Sequence, residues 1–186
     1  MKNIILIHGY NGIPKIYTWL EENLTKKGFN VVIPNLPPRE GAIYNDWKNI
    51  ISRYNDFFNE ETIIIGHSIG NGCLIKYLAE YNIKVNLYIG LAGFDKYFEH
   101  DGRDDLNRAV KEFIANNEEI EKFKFLTNYR YDIYSNDDHI VPFEILKNYP
   151  LDINAKEIFI KGIGHMGKKS GLEEIPEVID IIEKYN

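Results

Sequence analysis

The chain has 186 residues, of which 44% are hydrophobic and 27% are charged, and its formal net charge is −6. These values are typical of an ordinary globular protein, so we expect one domain spanning residues 1–186. The acidic balance argues against nucleic acid as a partner, because phosphate binding needs a concentrated basic face and Lys168-Lys169 is the nearest approach to one.

The first half of the chain alternates short β-branched runs with helical patterns. The segments that are predicted to form strands are 2–7, 29–33 and 62–65. Helices are predicted at 17–27 and at about 46–58, where apolar residues recur at helical spacing. The third strand leads into Gly66-His67-Ser68-Ile69-Gly70, after which a further helix begins.

The second half continues the alternation after a long interruption. The segments that are predicted to form strands are 85–91, 129–134 and 155–160. Helices are predicted to begin at Pro142 and to close the chain at 172–185. Between the fourth and fifth strands, 94–128 is predicted to be a variable, cap-like segment that is irregular and partly helical.

This alternation predicts an α/β fold with three layers, in which helices cover both faces of about six mostly parallel strands. Right-handed crossovers then favour a doubly wound sheet. If the chain begins in the middle of that sheet, the order of the strands is 2-1-3-4-5-6. In that order the first and third strands are neighbours whose connections leave in opposite directions. Such a switch point is where α/β sheets bind ligands.

Gly66-x-Ser68-x-Gly70 lies between a predicted strand and a predicted helix, the setting in which this motif marks a nucleophile on a sharp turn. The glycines allow the strand and helix backbones to approach. The N–H of Ile69 and the helix N-terminus face the place where an oxyanion would form. A glycine-rich turn with a helix-capping serine is the alternative. We favour Ser68 as a nucleophile.

A serine hydroxyl needs a base within hydrogen-bond reach, and in this kind of fold an acid and then a histidine follow the serine along the chain. His165 lies in the glycine-containing loop 161–167, directly after the strand at 155–160. Its glycines permit backbone angles that turn an imidazole toward Ser68. A histidine on a surface loop with no role is the alternative.

The acid is expected in the loop Ser135–Pro142, after the fifth strand. A carboxylate there would orient His165 and stabilise the imidazolium. Asp137 or Asp138 would alternatively cap the helix that begins at Pro142. Asp95, which follows the fourth strand, is a second possible acid. We favour Asp138.

The turn after the first strand, 8–12, is expected to lie across from Ser68 and to supply a second oxyanion donor. We favour the N–H of Tyr10, with Asn11 as the alternative, and expect the side chain of His8 to shape the turn.

Substrate contacts are predicted for three apolar side chains beside the site. Phe94 and Phe98, with Tyr97 between them in the chain, are placed to form an apolar rim, and Met166 follows His165. An amphipathic cap that packs on the sheet is the alternative for the aromatic residues.

The motifs together resemble the small α/β-hydrolase family that includes the retinoblastoma-binding protein 9 serine hydrolases and the bacterial YdeN-like esterases. The segments that carry the resemblance are HGYNGIPKIYTWLEENLTKKGFNVVIPNLP, DW, IIIGHSIGN, SNDDHIVPFE and GIGHMG. It implies the triad Ser68, Asp138 and His165, since the pattern Asp-x-x-Val-Pro fits Asp138 and not Asp137. It also implies a compact sheet without the first two strands of larger hydrolases, and carboxylesterase-like or peptidase-like activity.

Two other sites are disfavoured. The five histidines show no paired metal-ligand spacing, so we expect no metal and no other cofactor. The stretch from Gly162 to Lys168 nearly spells a phosphate-binding loop, but Lys169 stands where a Ser or Thr is required. A nucleotide-binding protein is therefore a weak alternative.

No segment resembles a targeting signal or a membrane span. The run Ile4–Ile7 is too short for the core of a signal peptide, and no other apolar run approaches spanning length. The single cysteine, Cys73, excludes an intramolecular disulfide and points to no oxidising compartment. We expect a cytoplasmic protein with no membrane partner, and the sequence identifies no protein partner.

These observations predict a serine hydrolase that cleaves a carboxylic ester-like bond of a small molecule through an acyl-enzyme. Thioesterase and peptidase activities use the same groups and stay open. A binding protein that keeps this fold but has lost most catalysis is the alternative hypothesis.

Overall fold

A computed structural model describes residues 1–185. Its six strands are β1 (Asn3–Ile7), β2 (Asn30–Val32), β3 (Ile63–His67), β4 (Val85–Leu91), β5 (Thr127–Tyr134) and β6 (Lys156–Phe159). They form one sheet of order β2-β1-β3-β4-β5-β6, and every adjacent pair is parallel. The predicted fold class and strand order are confirmed.

Seven α-helices connect and cover the strands. They are α1 (Lys15–Lys26), α2 (Tyr44–Ile51), α3 (Ile69–Tyr81), α4 (Asp104–Phe113), α5 (Asn117–Leu126), α6 (Phe143–Asp152) and α7 (Pro176–Glu183). No helix in the described residues is long and apolar enough to cross a bilayer.

The central strands are buried on both faces. Successive strand residues point to opposite sides of a sheet, yet Ile4–Ile7 and Ile63–Ile65 are all inaccessible to solvent. Helices therefore cover both faces, which gives the three-layer arrangement. The continuous apolar runs of β1 and β3 are the sequence signature of this double burial.

The second helix is shorter than its periodicity predicts. The α-helix α2 ends at Ile51, and Ser52–Phe57 continue as a 3₁₀ helix. The hydroxyl of Ser52 donates to the carbonyl of Asn49 at 2.9 Å, so a local side-chain bond competes for the helix backbone at this point.

The segment 94–128 is more regular than expected. The helix α5 begins with a capping box, in which the side chain of Asn116 accepts from the N–H of Glu119 and the Glu119 side chain accepts from the N–H of Asn116. This helix packs against α3, and its last residue leads directly into β5. Residues 117–126 are therefore part of the helical layer of the fold.

Register brings two loops together at the switch point. In the β1–β3 pair, Ile7 is the partner of Gly66, so the turn 8–12 and the turn at Ser68 leave the same edge of the sheet side by side. The loops after β5 and β6 leave that edge as well, because all the strands are parallel.

Candidate active site

The turn at Ser68 joins β3 to α3 and has an unusual backbone. Ser68 has φ 55° and ψ −126°, outside the conformations that most residues adopt. A Cβ on Gly70 would lie 2.4 Å from the carbonyl oxygen of Ile7, and one on Gly66 would lie 2.4 Å from Oδ1 of Asn71. Both glycines are needed for close approach, as the motif predicted, and strain of this kind is characteristic of functional sites.

A buried polar network holds this turn from behind. The side-chain amide of Asn71 donates to the carbonyls of Ser68, at 3.0 Å, and Leu91, at 3.1 Å. The hydroxyl of Tyr88 donates to Oδ1 of Asn71 at 2.7 Å and lies 2.7 Å from the hydroxyl of Tyr149. Because buried polar groups are costly unless paired, this network favours one position of the turn.

His165 and Asp138 form a buried pair. Nδ1 of His165 lies 2.7 Å from Oδ2 of Asp138, and the two side chains are 9% and 1% exposed. The other carboxylate oxygen accepts from the N–H groups of Ile140, at 2.7 Å, and Val141, at 2.9 Å. Burial opposes the charge of Asp138, but the hydrogen bonds and the charge of His165 outweigh it and lower the pKa of the carboxyl. Asp138 is therefore built to stay ionised.

Two further side chains fix the loop that carries His165. Oδ1 of Asp137 accepts from the hydroxyl of Ser135 at 2.5 Å and from the N–H of Gly164 at 2.9 Å. On the other side, Nε2–H of His67 donates to the carbonyl of His165 at 2.7 Å. Burial, followed by the nearby charge of His165, lowers the pKa of His67 to about 3, so this ring is neutral.

Ser68 and His165 line the same cavity at the carboxyl edge of the sheet. No hydrogen bond joins the hydroxyl to the imidazole in the described residues; such bonds are often long in the free enzyme and shorten when substrate binds.

Asp95 lies elsewhere, with its carboxylate 2.8 Å from the ammonium of Lys96. The structure thus brings Asp138, and not Asp95 or Asp137, to the ring of His165.

The two predicted oxyanion donors are the N–H groups of Ile69 and Tyr10; Tyr10 lines the cavity with Ser68, and Ile69 follows Ser68 in the chain. Ile69 is the first residue of α3, so its N–H has no acceptor within the helix. Tyr10 lies in the turn between Gly9 and Gly12, and its amide is not used to close that turn. Within residues 1–185 neither N–H donates to another protein group.

His8 contacts the carbonyls of Gly9 and Leu36 through its ring nitrogens, as expected for a residue that shapes the turn.

The cavity is small, with a volume of about 30 Å³. Its lining residues share a position at the carboxyl edge of the sheet or on α4 and the segment before it. They are Tyr10, Asn11, Gly12, His67, Ser68, Arg103, Leu106, Ile140, His165, Gly167 and Lys168.

The three predicted substrate contacts are not in this lining. Phe94 and Phe98 are 4% and 8% exposed and pack edge to face, with ring centroids 5.0 Å apart. Met166 is inaccessible to solvent. The structure therefore does not bring these side chains to the cavity, because core packing takes up the surface that was expected to form a rim.

Several lining residues have no signal in the sequence. Arg103 and Leu106 come from the cap-like segment, which carries no motif. Lys168 belongs to a short basic pair and ends the near-match to a phosphate-binding loop, and neither pattern predicts its position at this cavity. The position of His67 beside Ser68 was visible, but its bond to the loop of His165 joins residues 98 positions apart and depends on the fold.

Two kinds of site that the sequence disfavours, a metal site and a phosphate-binding loop, can be compared with the structure. Within residues 1–185 no group of three or more His, Cys, Asp or Glu side chains is arranged to hold a metal ion. After Gly162–Lys168 the chain continues in turns, and α7 begins only at Pro176. A phosphate-binding loop requires a helix at its end, so this loop lacks the N-terminal amides that would bind phosphate.

Comparison with known proteins adds a family and a fold. A family model described as "Serine hydrolase" matches residues 4–184. The chain is 26% identical to the putative hydrolase YdeN of Bacillus subtilis (strain 168), over 99% of this chain and 96% of that protein. The crystal structure of the ydeN gene product from B. subtilis superposes with a TM-score of 0.85, covering 100% of this chain and 98% of that one. Est1E from Butyrivibrio proteoclasticus, at 17% identity and a TM-score of 0.70 over 99% and 88% of the two chains, shares the fold.

Proposed function

This chain belongs to the serine hydrolase family, and on that premise we propose that it cleaves carboxylic ester-like bonds through an acyl-enzyme formed on Ser68. His165 acts as the base and Asp138 orients it. One observation carries the proposal: the serine on its strained turn and the aspartate-bound ring of His165 line one cavity.

The pair of His165 and Asp138 sets the direction of proton transfer. A carboxylate that is ionised and fixed by two backbone N–H groups accepts a hydrogen bond from Nδ1–H of His165. The neutral ring then carries its lone pair on Nε2, where it can take the proton of Ser68. The same carboxylate stabilises the imidazolium once it forms.

Acylation follows from these positions. Oγ of Ser68 forms a bond to the ester carbonyl carbon as its proton moves to Nε2 of His165. The carbonyl oxygen becomes an oxyanion, which the free N–H groups of Ile69 and Tyr10 stabilise. When the tetrahedral intermediate collapses, the bond to the leaving oxygen breaks and His165 returns the proton to that oxygen.

Deacylation uses the same groups in reverse. A water molecule attacks the acyl carbon while His165 takes its proton, and a second oxyanion forms between the two amides. Collapse of this intermediate breaks the bond to Oγ of Ser68, which regains its proton from His165. The carboxylic acid leaves, and the site returns to its starting state.

The test is labelling with a fluorophosphonate, followed by intact mass measurement. We expect one adduct on the wild-type protein and none on Ser68→Ala. Ser52→Ala is the matched control and should be labelled like the wild type, because Ser52 lies on the far 3₁₀ helix. Absence of an adduct on folded wild-type protein would favour the binding-protein hypothesis. An adduct would justify a panel of ester, thioester and amide substrates to define the bond that is cleaved.

A further inference from the structure

The outer wall of the cavity carries positive charge only. Two charged side chains among its lining residues have no role in the proposed mechanism, Arg103 and Lys168, and both are basic. In the described residues no Asp or Glu lines the cavity, although the chain as a whole has 28 acidic and 22 basic residues. The lining of the cavity is thus basic, whereas the protein as a whole is acidic.

Arg103 lies just before α4 and faces the turn 8–12. Its guanidinium carbon is 5.9 Å from the ring centroid of Tyr10, whose amide is the proposed oxyanion donor. Nε lies 4.0 Å from Oδ1 of Asp105, and the other oxygen of Asp105 accepts from the hydroxyl of Tyr10. Within residues 1–185 the side chain of Arg103 donates no hydrogen bond, so its terminal N–H groups are free to bind a planar anion in a bidentate manner.

Lys168 also lies beside this turn. Its ammonium would be 3.5 Å from a Cβ on Gly12. Burial lowers the pKa of His8 at the start of the turn, the hydrogen bonds to two backbone carbonyls oppose this, and the charge of Lys168 lowers the pKa further. No carboxylate in the described part of the chain lies within ion-pair distance of this ammonium. Lys169, the next residue, does not line the cavity.

Arg103 has one carboxylate neighbour, Asp105 at 4.0 Å, and Lys168 has none in the described residues. The mouth of the site therefore carries a net positive charge and favours a ligand that brings negative charge. We propose that the natural substrate carries a carboxylate, which binds to Arg103 and Lys168 while its ester carbonyl lies at Ser68. The inference rests on the proposed function for the reaction itself. A planar carboxylate suits the fork of Arg103, and the flexible ammonium of Lys168 adds a second charge-assisted bond.

The test compares two esters that differ in one charge. 4-Acetoxybenzoate is anionic, and 4-acetoxybenzamide is neutral and of similar size. We expect the wild type to show a higher kcat/KM for the anion than for the neutral ester, and Arg103→Gln and Lys168→Gln each to lower the ratio of these two values about 10-fold. Lys169→Gln is the matched control and should change neither. Added salt should reduce the preference of the wild type, because these side chains are exposed.

A binding measurement separates this inference from the proposed reaction. Calorimetric titration of Ser68→Ala should show tighter binding of 4-hydroxybenzoate than of 4-hydroxybenzamide, and Arg103→Gln in that background should reduce the difference. Equal rates for the two esters, or equal binding of the two phenols, would overturn the inference. A loss of rate that is the same for both esters would also overturn it, since the cations would then act on every oxyanion. Anion-selective binding without hydrolysis would sink the ester reaction alone.

Discussion

The two walls of the cavity are built on different principles. The inner wall, formed by Ser68, His165 and their supports, is buried, and most of its polar side chains are tied to backbone carbonyls or N–H groups. The outer wall, formed by Arg103 and Lys168, is exposed, and those two side chains form no hydrogen bonds within residues 1–185. Parallel strands position the first wall, whereas the cap-like segment and the tip of one loop form the second.

The difference matches what each wall is proposed to do. Acyl transfer requires reacting atoms to be placed within a fraction of an ångström, which only a packed and hydrogen-bonded shell provides. Selection of a charged substrate requires the right sign of charge and tolerates mobile side chains, since charge acts over several ångströms. Changes to the inner wall should therefore affect stability and rate together, and changes to the outer wall should affect substrate preference.

The largest expected effect is on kcat and comes from Asp138, whose carboxylate contacts the ring of His165. Its neighbour Asp137, which contacts the N–H of Gly164, provides the comparison. Asp138→Asn should lower kcat about 10⁴-fold, because an amide that donates to Nδ1 would favour the wrong tautomer of His165. Asp137→Asn should lower kcat less than about 10-fold, because its oxygen still accepts from the N–H of Gly164. Steady-state kinetics with an activated acetate ester measures both. Similar losses for the two variants would show that Asp138 acts through the loop and not through the ring.

A second comparison sets one asparagine from each wall side by side. Asn71→Ala removes the amide that holds Ser68 and the acceptor of Tyr88, and it should lower the free energy of unfolding by about 2 kcal/mol. Asn11→Ala, at an exposed position on the outer wall, should change it by less than about 0.5 kcal/mol. Urea denaturation measures the two values. Equal stabilities would contradict the idea that the inner wall depends on its buried network.

The third prediction concerns pH and the neutral ring of His67. The pKa of its imidazole is about 3 in the folded protein, against an ordinary value of 6.5. Since the unfolded chain binds the proton first, the stability that the neutral ring contributes is complete above pH 6.5 and is lost as the pH falls toward 3. His67→Gln keeps a donor for the carbonyl of His165 but does not titrate. Between about pH 7 and pH 4, the free energy of unfolding should therefore fall by about 1–3 kcal/mol less in His67→Gln than in the wild type.

An exposed histidine supplies the control for that measurement. His139→Gln, at a solvent-exposed position of the loop after β5, should follow the wild-type curve of unfolding free energy against pH. If the curve of His67→Gln also follows that of the wild type, the neutral ring of His67 does not make the stability of the inner wall depend on pH.

The strand segments and the position of Ser68 were predictable because their signals are local. Continuous apolar runs indicate buried parallel strands, and Gly66-x-Ser68-x-Gly70 combines a strand end, a sharp turn and a helix start within five residues. The choice of Asp138 was supported by a short pattern, Asp-x-x-Val-Pro, and the structure places this carboxylate 2.7 Å from His165. Its role in catalysis stays a prediction.

The predictions for the cap-like segment were weaker for a physical reason. Phe94 and Phe98 have the composition of a binding rim, but whether an aromatic ring lines a cavity or fills a core depends on what packs over it. The capping box at Asn116 and Glu119 was a local signal that would have indicated the helix α5. Arg103 had no such signal, because a lone arginine before a helix acquires meaning only from its neighbours in space.

The sequence by itself determined the layers, the strand segments and the loops that carry the candidate serine, acid and histidine. Periodicity and turn chemistry act between residues that are close along the chain, so they can be read there. Only the tertiary structure decided which side chains meet: His165 with Asp138 across 27 positions, His67 with the loop of His165 across 98, and two basic residues at one opening. Such contacts depend on the register of parallel strands and on the packing of helices, which no short stretch of sequence contains.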